Sequence, residues 1–131
     1  MAEGVTAAGA PAEIYRSYLK EGKLGFQRCR GCRSAVFYPR VLCPVCGSAS
    51  LAWEESGGWG TVYATTAVYR RDREPHNVVL VDLEEGFRMM SRIEDVPAEE
   101  VEVGTSVTFE VREEDGEPVA VFVPVTETGE G

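Results

Sequence analysis

Four cysteines with paired spacing are the residues of this chain best suited to chemistry. They lie in CRGCRSAVFYPRVLCPVCGS, residues 29–48, as two Cys-x-x-Cys pairs, Cys29 with Cys32 and Cys43 with Cys46. Two such turns can enclose a metal ion in four thiolates, and a shell filled in this way leaves no position for water or substrate. The spacing therefore predicts a structural metal site and argues against Lewis-acid catalysis.

Zinc is the metal that this ligand set favours. A rubredoxin-like iron site and thiol redox chemistry are the alternatives, because paired cysteines serve both. Gly47 follows the second pair and can take the positive φ that closes its turn, whereas the glycine of the first pair, Gly31, lies inside it. We therefore expect the first turn to be the less regular one.

No second group of residues forms a credible catalytic centre, and we predict no catalytic residue. The single histidine, His76, lies in RREPHN, which predicts an exposed turn. The acidic clusters at residues 84–85, 99–100 and 113–115 also fall in predicted turns. A general acid or base requires a perturbed environment, which a solvated turn does not supply.

Three arginines, Arg70, Arg71 and Arg73, interrupt an otherwise acidic half of the chain. Guanidinium groups match the geometry of phosphate and carboxylate, so these residues are candidate ligand-binding residues for a phosphorylated ligand or an acidic partner. The alternative is an exposed loop whose arginines balance nearby acids.

Charge and composition exclude several classes of function. The chain has 131 residues, 44% of them hydrophobic, which is typical of a globular protein. Residues 1–55 carry a net charge of +2 and residues 56–131 a net charge of −11, which opposes binding to nucleic acid. No run approaches the roughly 18 apolar residues of a membrane span. The start of the sequence lacks the features of a secretory signal, and we expect a cytoplasmic protein with reduced thiols.

Hydrophobic periodicity predicts a mainly β protein with one helix. A helical pattern covers residues 12–21, and the glycine-rich SGGWG at residues 56–60 is the best domain boundary. Beyond it, five strand-like segments fit an OB-type barrel, and an SH3-like barrel nearly as well. These segments are residues 61–69, 77–83, 87–93, 105–112 and 119–125. We expect the aromatic residues Trp53, Trp59, Tyr63 and Tyr69 to pack between the two modules, although some could line an interface.

The predicted organisation has four parts. Residues 1–11 form a disordered tail, residues 12–23 the N-terminal helix, residues 24–55 the zinc ribbon and residues 56–131 the barrel.

The chain resembles a known family in four successive segments. These are LGFQRCRGCRSAVFYPRVLCPVCGS, LAWEESGGWGTVYATTAVYR, VVLVDLEEGFRMMSRI and VEVGTSVTFEVREEDGEPVAVFVP. Their order is similar to that of the acyl-CoA-associated zinc-ribbon/OB-fold family, domain of unknown function number thirty-five. The resemblance implies a helix, a rubredoxin-like ribbon and an OB barrel. It also implies structural Zn²⁺ on Cys29, Cys32, Cys43 and Cys46, and no agreed catalytic residue.

The same resemblance implies a function. Members accompany thiolase-fold acyl-CoA enzymes: thiolases, hydroxymethylglutaryl-CoA synthase-like enzymes, acyltransferases and the lipid-transfer-protein-like aldolases of steroid side-chain degradation. Some are partnered with hot-dog-fold enoyl-CoA hydratases. We therefore expect a non-catalytic accessory subunit in a hetero-oligomer. The alternative is an acyl-CoA-binding or delivery module in which the three arginines contact the phosphates of CoA.

Overall fold

A computed structural model of the protein describes residues 10–125, which form one helix, two sheets and a short 3-10 helix. The elements in chain order are α1 (Pro11–Lys20), β1 (Gly25–Cys29), β2 (Ala35–Val36), β3 (Leu51–Glu55), β4 (Trp59–Arg70), β5 (Arg73–Leu83), β6 (Arg88–Ser91), the 3-10 helix Ala98–Glu100, β7 (Ser106–Glu114) and β8 (Glu117–Pro124). The predicted tail, residues 1–11, lies outside the described residues apart from its last two, and Pro11 already begins the helix. Residues 126–131 of the predicted barrel segment also lie outside.

The two sheets correspond to a ribbon and a barrel. The ribbon sheet has the order β2-β1-β3 and the barrel sheet the order β6-β5-β4-β7-β8, with antiparallel neighbours throughout. A parallel bridge between Ile93 and Phe122 brings the two outer strands together and nearly closes the barrel. This five-stranded closure is that of an OB-fold, so the predicted fold class is confirmed.

Alternating side chains fill the barrel. In β5 the residues Asn77, Val79, Val81 and Leu83 are buried, and the residues between them point outward. The buried Asn77 side chain contacts the backbone of Ile93 twice: Ile93 N–H donates to its Oδ1 at 2.7 Å, and its Nδ2 donates to the carbonyl at 3.0 Å. These bonds replace the strand pairing that β6 no longer supplies there.

Ribbon and barrel share one hydrophobic core. Leu24 and Phe26 of the ribbon belong to the same buried cluster as the barrel residues. The ring of Phe87, in the turn before β6, lies 4.8 Å from the ring of Phe26 and 5.0 Å from that of Phe37. Burying a side chain of this size contributes about 1.5–3 kcal/mol, so these three rings fix how the ribbon sits on the barrel.

Helix α1 packs on both modules. Tyr15 contacts Phe37, and Tyr18 stacks on Trp53, with ring centroids 5.5 Å apart in each pair. A Cβ at Gly25 would come within 2.6 Å of the Tyr18 ring, so only glycine allows this close approach. An exposed ion pair between Arg16 and Glu117 joins the helix to β8.

Candidate functional site

The four cysteine sulfurs converge at the end of the ribbon. All four Sγ atoms lie within 4.8 Å of one another; Cys29 and Cys46 are 3.5 Å apart, and Cys32 and Cys43 are 3.7 Å apart. Four sulfurs bound tetrahedrally at about 2.3 Å from zinc would stand about 3.8 Å apart. The donor set and its spacing therefore fit a closed four-thiolate metal site.

Backbone N–H groups surround two of these sulfurs. The N–H groups of Gly31 and Cys32 donate to Cys29 Sγ at 3.3 and 3.4 Å, and that of Val45 donates to Cys43 Sγ at 3.3 Å. The hydrogen bond from Cys32 is the main reason that the pKa of Cys29 falls to about 6. At Cys29 the thiolate, which is the form that binds metal, is thus favoured before any ion arrives, whereas the pKa of Cys46 is raised to about 11.

The two Cys-x-x-Cys turns have the same backbone shape. The N–H of Gly47 donates to the carbonyl of Cys43 at 2.8 Å, and the N–H of Arg33 donates to that of Cys29 at 2.9 Å. Gly47 has φ 82°, and Arg33, at the equivalent position, has φ 70°. The expectation that the first turn would be less regular is wrong. The turn instead holds an arginine in a conformation that glycine would adopt more easily.

Two further contacts hold the ribbon loop that lies between the cysteine pairs. The buried side chain of Gln27 bonds the backbone of Arg40 twice: the N–H of Arg40 donates to its Oε1 at 2.7 Å, and its Nε2 donates to the carbonyl at 2.9 Å. Tyr38, two residues earlier, accepts a hydrogen bond on Oη from the N–H of Met90 at 2.8 Å. The loop is thereby attached to β1 on one side and to the barrel on the other. The sequence signal for the first contact was an uncharged polar residue next to Phe26 and two positions before Cys29.

The acidic pair at residues 84–85 is more than a solvated turn. Glu85 accepts hydrogen bonds from Ser56 Oγ and from the N–H of Gly57, each at 2.8 Å. Because residues 56–58 connect β3 with β4, this carboxylate ties the link between the two sheets to the turn before β6. The sequence did not predict this role, because a glutamate that accepts hydrogen bonds from a distant segment cannot be told from a solvent-exposed glutamate by residue type or spacing.

The three candidate arginines come together at the tip of the β4–β5 hairpin. Arg70 pairs with Arg73 across the turn, and all three side chains are exposed. Within residues 10–125, none of the three forms an ion pair. A groove of about 550 Å³ begins beside Arg73 and is lined also by Glu74, His76, Arg92 and Glu114.

His76 does not lie in a turn. It sits within β5, half-buried and opposite Val68 of β4, because the hairpin turn shrinks to Arg71 and Asp72. Nearby, Arg92 forms ion pairs with Glu94 and Glu114, and its hydrogen bond to Glu114 lowers the pKa of that carboxyl.

Most of the predicted packing of the aromatic residues is wrong. Trp53 packs on Tyr18, but Trp59, Tyr63 and Tyr69 are 49%, 51% and 63% exposed. Each occupies an outward position on β4, so these rings lie on the barrel surface instead of between the modules. The alternative, that some of these aromatic residues line an interface, stays a prediction.

Comparison with known proteins gives the family. Residues 16–52 match the ChsH2 rubredoxin-like zinc ribbon domain, and residues 53–112 match the ChsH2 C-terminal OB-fold domain. A DUF35 domain-containing scaffold protein of Pyrococcus furiosus is 30% identical over 125 residues, which cover 87% of this chain and 91% of that protein. The chain belongs to the DUF35 family. A second scaffold protein of the family, from Methanocaldococcus jannaschii, is 31% identical over 98 residues, 69% of this chain and 70% of that protein.

A longer relative and two solved structures extend this DUF35 match. The probable enoyl-CoA hydratase alpha subunit of Thermomonospora curvata is 31% identical over 110 residues, 80% of this chain; the match spans only 34% of that protein's length. A chain of the Ltp2-ChsH2(DUF35) aldolase superposes with a TM-score of 0.79 at 26% identity, covering 92% of this chain and 98% of that one. A DUF35 protein of Sulfolobus solfataricus, at TM-score 0.63 and 19% identity over 77% of this chain and 78% of that one, shares the fold.

Among residues 10–125, no helix has the length and apolar character needed to cross a membrane.

Proposed function

We propose that this DUF35 chain is a non-catalytic accessory subunit that docks on a thiolase-fold acyl-CoA enzyme and supports its activity. The observation that carries the proposal is the superposition on 98% of a chain from an aldolase whose name joins Ltp2 to ChsH2(DUF35). The cysteine geometry agrees with a supporting role, because a shell of four thiolates has no open position at which a substrate could react.

The four cysteines Cys29, Cys32, Cys43 and Cys46 would hold zinc. Bound zinc supplies a fixed crosslink between the two turns and no reactive position. The rest of the effect belongs to the chain itself. Gln27 holds the loop between the turns, Tyr38 attaches that loop to β6, and the ring of Phe87 packs against the ribbon. The result is a rigid surface to which both modules contribute, which lowers the entropy cost of binding a partner.

We place the reacting groups on the partner. A thiolase-fold enzyme would supply the nucleophile and the oxyanion hole, while this chain holds neighbouring loops in place. The partner would be a thiolase, an acyltransferase or a lipid-transfer-protein-like retro-aldolase, including one that acts on steroid side chains. A hot-dog-fold enoyl-CoA hydratase is a further candidate neighbour, as the name of the Thermomonospora relative suggests. The reduced thiols of the site suit a cytoplasmic complex.

Co-expression tests the proposal. The chain is produced together with each thiolase-fold acyl-CoA enzyme of the same genome in turn, and the mixture is passed over a sizing column. A single complex of defined stoichiometry is the expected result. Separate elution of the two proteins at micromolar concentration would contradict the proposal.

The second candidate is an acyl-CoA-binding or delivery module. It is favoured by one observation: Arg70, Arg71 and Arg73 are gathered, exposed and without ion-pair partners among residues 10–125, where they could contact the phosphates of CoA. Calorimetry of the isolated chain with CoA and acetyl-CoA tests it. Heat that disappears in Arg71→Ala supports this candidate, and no heat at millimolar ligand removes it.

A further inference from the structure

We infer that the outer surface of strands β4, β5 and β6, together with Tyr38 of the ribbon, is the face through which this chain docks on its partner, and that the matching surface is apolar at its centre and acidic at its rim. This inference rests on the proposed function, since it names the surface that an accessory subunit would use. The face consists of Tyr38, Tyr63, Ala64, Val78, Leu80 and Met90; we refer to it below as the outer face.

The outer face is continuous across three strands. Leu80 of β5 pairs with Ala64 of β4 on one side and with Met90 of β6 on the other. The hydrogen bond between Tyr38 and the N–H of Met90 brings the ribbon to the edge of this row. A shallow groove of about 220 Å³ runs along it, lined mostly by apolar side chains of the three strands.

The side chains of this face point away from the barrel core. Met89 is 3% exposed and its neighbour Met90 is 57% exposed; Tyr63 and Tyr38 are 51% and 49% exposed. Outward positions on a sheet that faces water are normally polar. Strand β7 follows that rule, with Thr108, Glu110 and Arg112 alternating with its inward residues. An apolar row on one side of the barrel and a charged row on another indicate that only the first is built to be covered.

Charges around the face define the partner's chemistry. The carboxylate on it, Asp82, is neutralised by Arg88, whose Nε and Nη2 donate to it at 2.5 and 3.1 Å and whose guanidinium lies 3.4 Å from the centroid of the Tyr63 ring. One end of β4 and β5 carries the arginines of the hairpin tip, and Arg40 follows Tyr38 by two residues.

Within residues 10–125, neither those arginines nor Arg40 forms an ion pair. Asp72 and Glu74 at the hairpin tip also form no ion pair among the described residues, so four arginines stand against two carboxylates around the face. A chain of net charge −9 thus presents an apolar surface whose unpaired charges sum to a positive value, which complements acidic residues around an apolar patch.

The position of the face in the fold points the same way. In OB barrels the surface of the second and third strands is the usual binding surface, and β5 and β6 are those strands here. Barrels that bind single-stranded nucleic acid place basic grooves on this surface. The apolar row and the net negative charge favour a protein occupant instead.

Substitution of the exposed members of the face tests the inference without touching the core. Met90→Asp and Tyr63→Ser are compared with Val103→Asp, which changes an apolar side chain that is 64% exposed in the turn before β7. Each variant is checked for an unchanged melting temperature and then titrated against the thiolase-fold partner enzyme of the co-expression test. We expect a loss of affinity of about tenfold or more for the first two and no change for the control.

Hydroxyl-radical footprinting of the wild-type complex supplies a second readout. Oxidation of Met90 should slow at least several-fold on binding, while oxidation of Met89 should already be slow in the free chain. If Met90→Asp binds like the wild type, and Met90 of the wild-type complex is not protected from oxidation, the outer face is wrong as the docking surface while the proposed function stands. A wild-type chain that does not bind overturns the proposed function, and the inference with it.

Experiments on the chain without its partner test two other occupants of the outer face, a second copy of the chain and a single-stranded nucleic acid. Dimers that Met90→Asp dissociates would identify a second copy as the occupant. Salt-sensitive binding of a single-stranded DNA oligonucleotide that the same variant abolishes would identify nucleic acid. Either result overturns the inference.

Discussion

The phenolic oxygen of Tyr38, in the ribbon, accepts a hydrogen bond of 2.8 Å from the backbone N–H of Met90, in the outer strand β6 of the barrel. An outer strand leaves some of its backbone groups without a strand partner, and this contact satisfies one of them with a side chain from the other module. The loop between the two cysteine pairs is therefore attached directly to the barrel, so a change in one is expected to affect the stability of the other.

Tyr38→Phe should weaken the joint between the modules. Loss of one hydrogen bond at a half-exposed position costs about 0.5–1.5 kcal/mol, with the ring packing on Phe37 retained. Urea unfolding measures the change. Tyr18→Phe is the matched control, because its ring stack on Trp53 needs no hydroxyl. Equal stability of Tyr38→Phe and the wild type would show that the contact contributes nothing in solution.

Arg33→Gly should stabilise the folded chain. The residue has φ 70°, a conformation that costs a non-glycine residue about 1 kcal/mol or more. Arg33→Ala keeps the Cβ and removes the guanidinium with its stem, so it separates backbone strain from the effects of the side chain. The melting temperature of the metal-loaded protein should rise for glycine and not for alanine. A rise of equal size in both variants would assign the effect to the side chain.

Removal of the metal should unfold the ribbon first. Structural zinc contributes folding free energy on the order of 10 kcal/mol in small fingers, and the buried cluster of Cys29, Val36 and Cys43 depends on the turns that the ion would hold. Elemental analysis should give one zinc per chain, and a strong chelator should lower the melting temperature. A red protein that contains iron, or a chelated protein with unchanged stability, would refute the zinc assignment.

Gln27→Ala should destabilise the ribbon, because it removes two hydrogen bonds as well as the packing of the side chain. The backbone N–H and carbonyl of Arg40 would both lose their protein partner at a part-buried position, at a cost of about 0.5–1.5 kcal/mol per hydrogen bond. Hydrogen exchange at the amide of Arg40 is the direct measurement, and it should accelerate by at least tenfold. Exchange as slow as in the wild type would mean that another group holds the loop.

Alkaline pH should destabilise the chain through Tyr15. Burial, followed by the nearby Tyr38, raises the pKa of Tyr15 from 10.0 to about 12. The folded chain therefore keeps this proton to a higher pH than the unfolded chain does. The stabilisation is fully present below pH 10 and is lost as pH rises toward 12. Tyr15→Phe should reduce the fall in the urea midpoint between pH 9.5 and 11.5. The same fall in both proteins would place the titration elsewhere.

The sequence carried much of this fold. Helical spacing predicted a helix over residues 12–21, and the structure has one at Pro11–Lys20. Each of the five barrel strands overlaps its predicted segment, and the Asp-Gly pair at residues 115–116 predicted the tight turn between β7 and β8. The strand Leu51–Glu55 was missed, because its pairing with β1 is a long-range contact that its own residues do not encode.

Details of the candidate site were harder to predict for a physical reason. The positive φ of Arg33 follows from the hydrogen bond that closes the first turn, and no residue type signals it. The exposure of Trp59, Tyr63 and Tyr69 could not be predicted either. Aromatic residues are common in strands whether the side chain faces a core or the surface, so residue type does not indicate which side it occupies. The positions of the four cysteines, by contrast, were readable from spacing alone.

Titration of the partner's activity tests the central claim most directly. The thiolase-fold partner enzyme of the co-expression test is assayed on its acyl-CoA substrate while the purified DUF35 chain is added in increasing amounts. The account predicts that kcat/KM rises and saturates at a fixed ratio of the two chains, and that this chain alone turns over no substrate. Partner activity that stays constant across the titration, or turnover by this chain alone, would contradict the account.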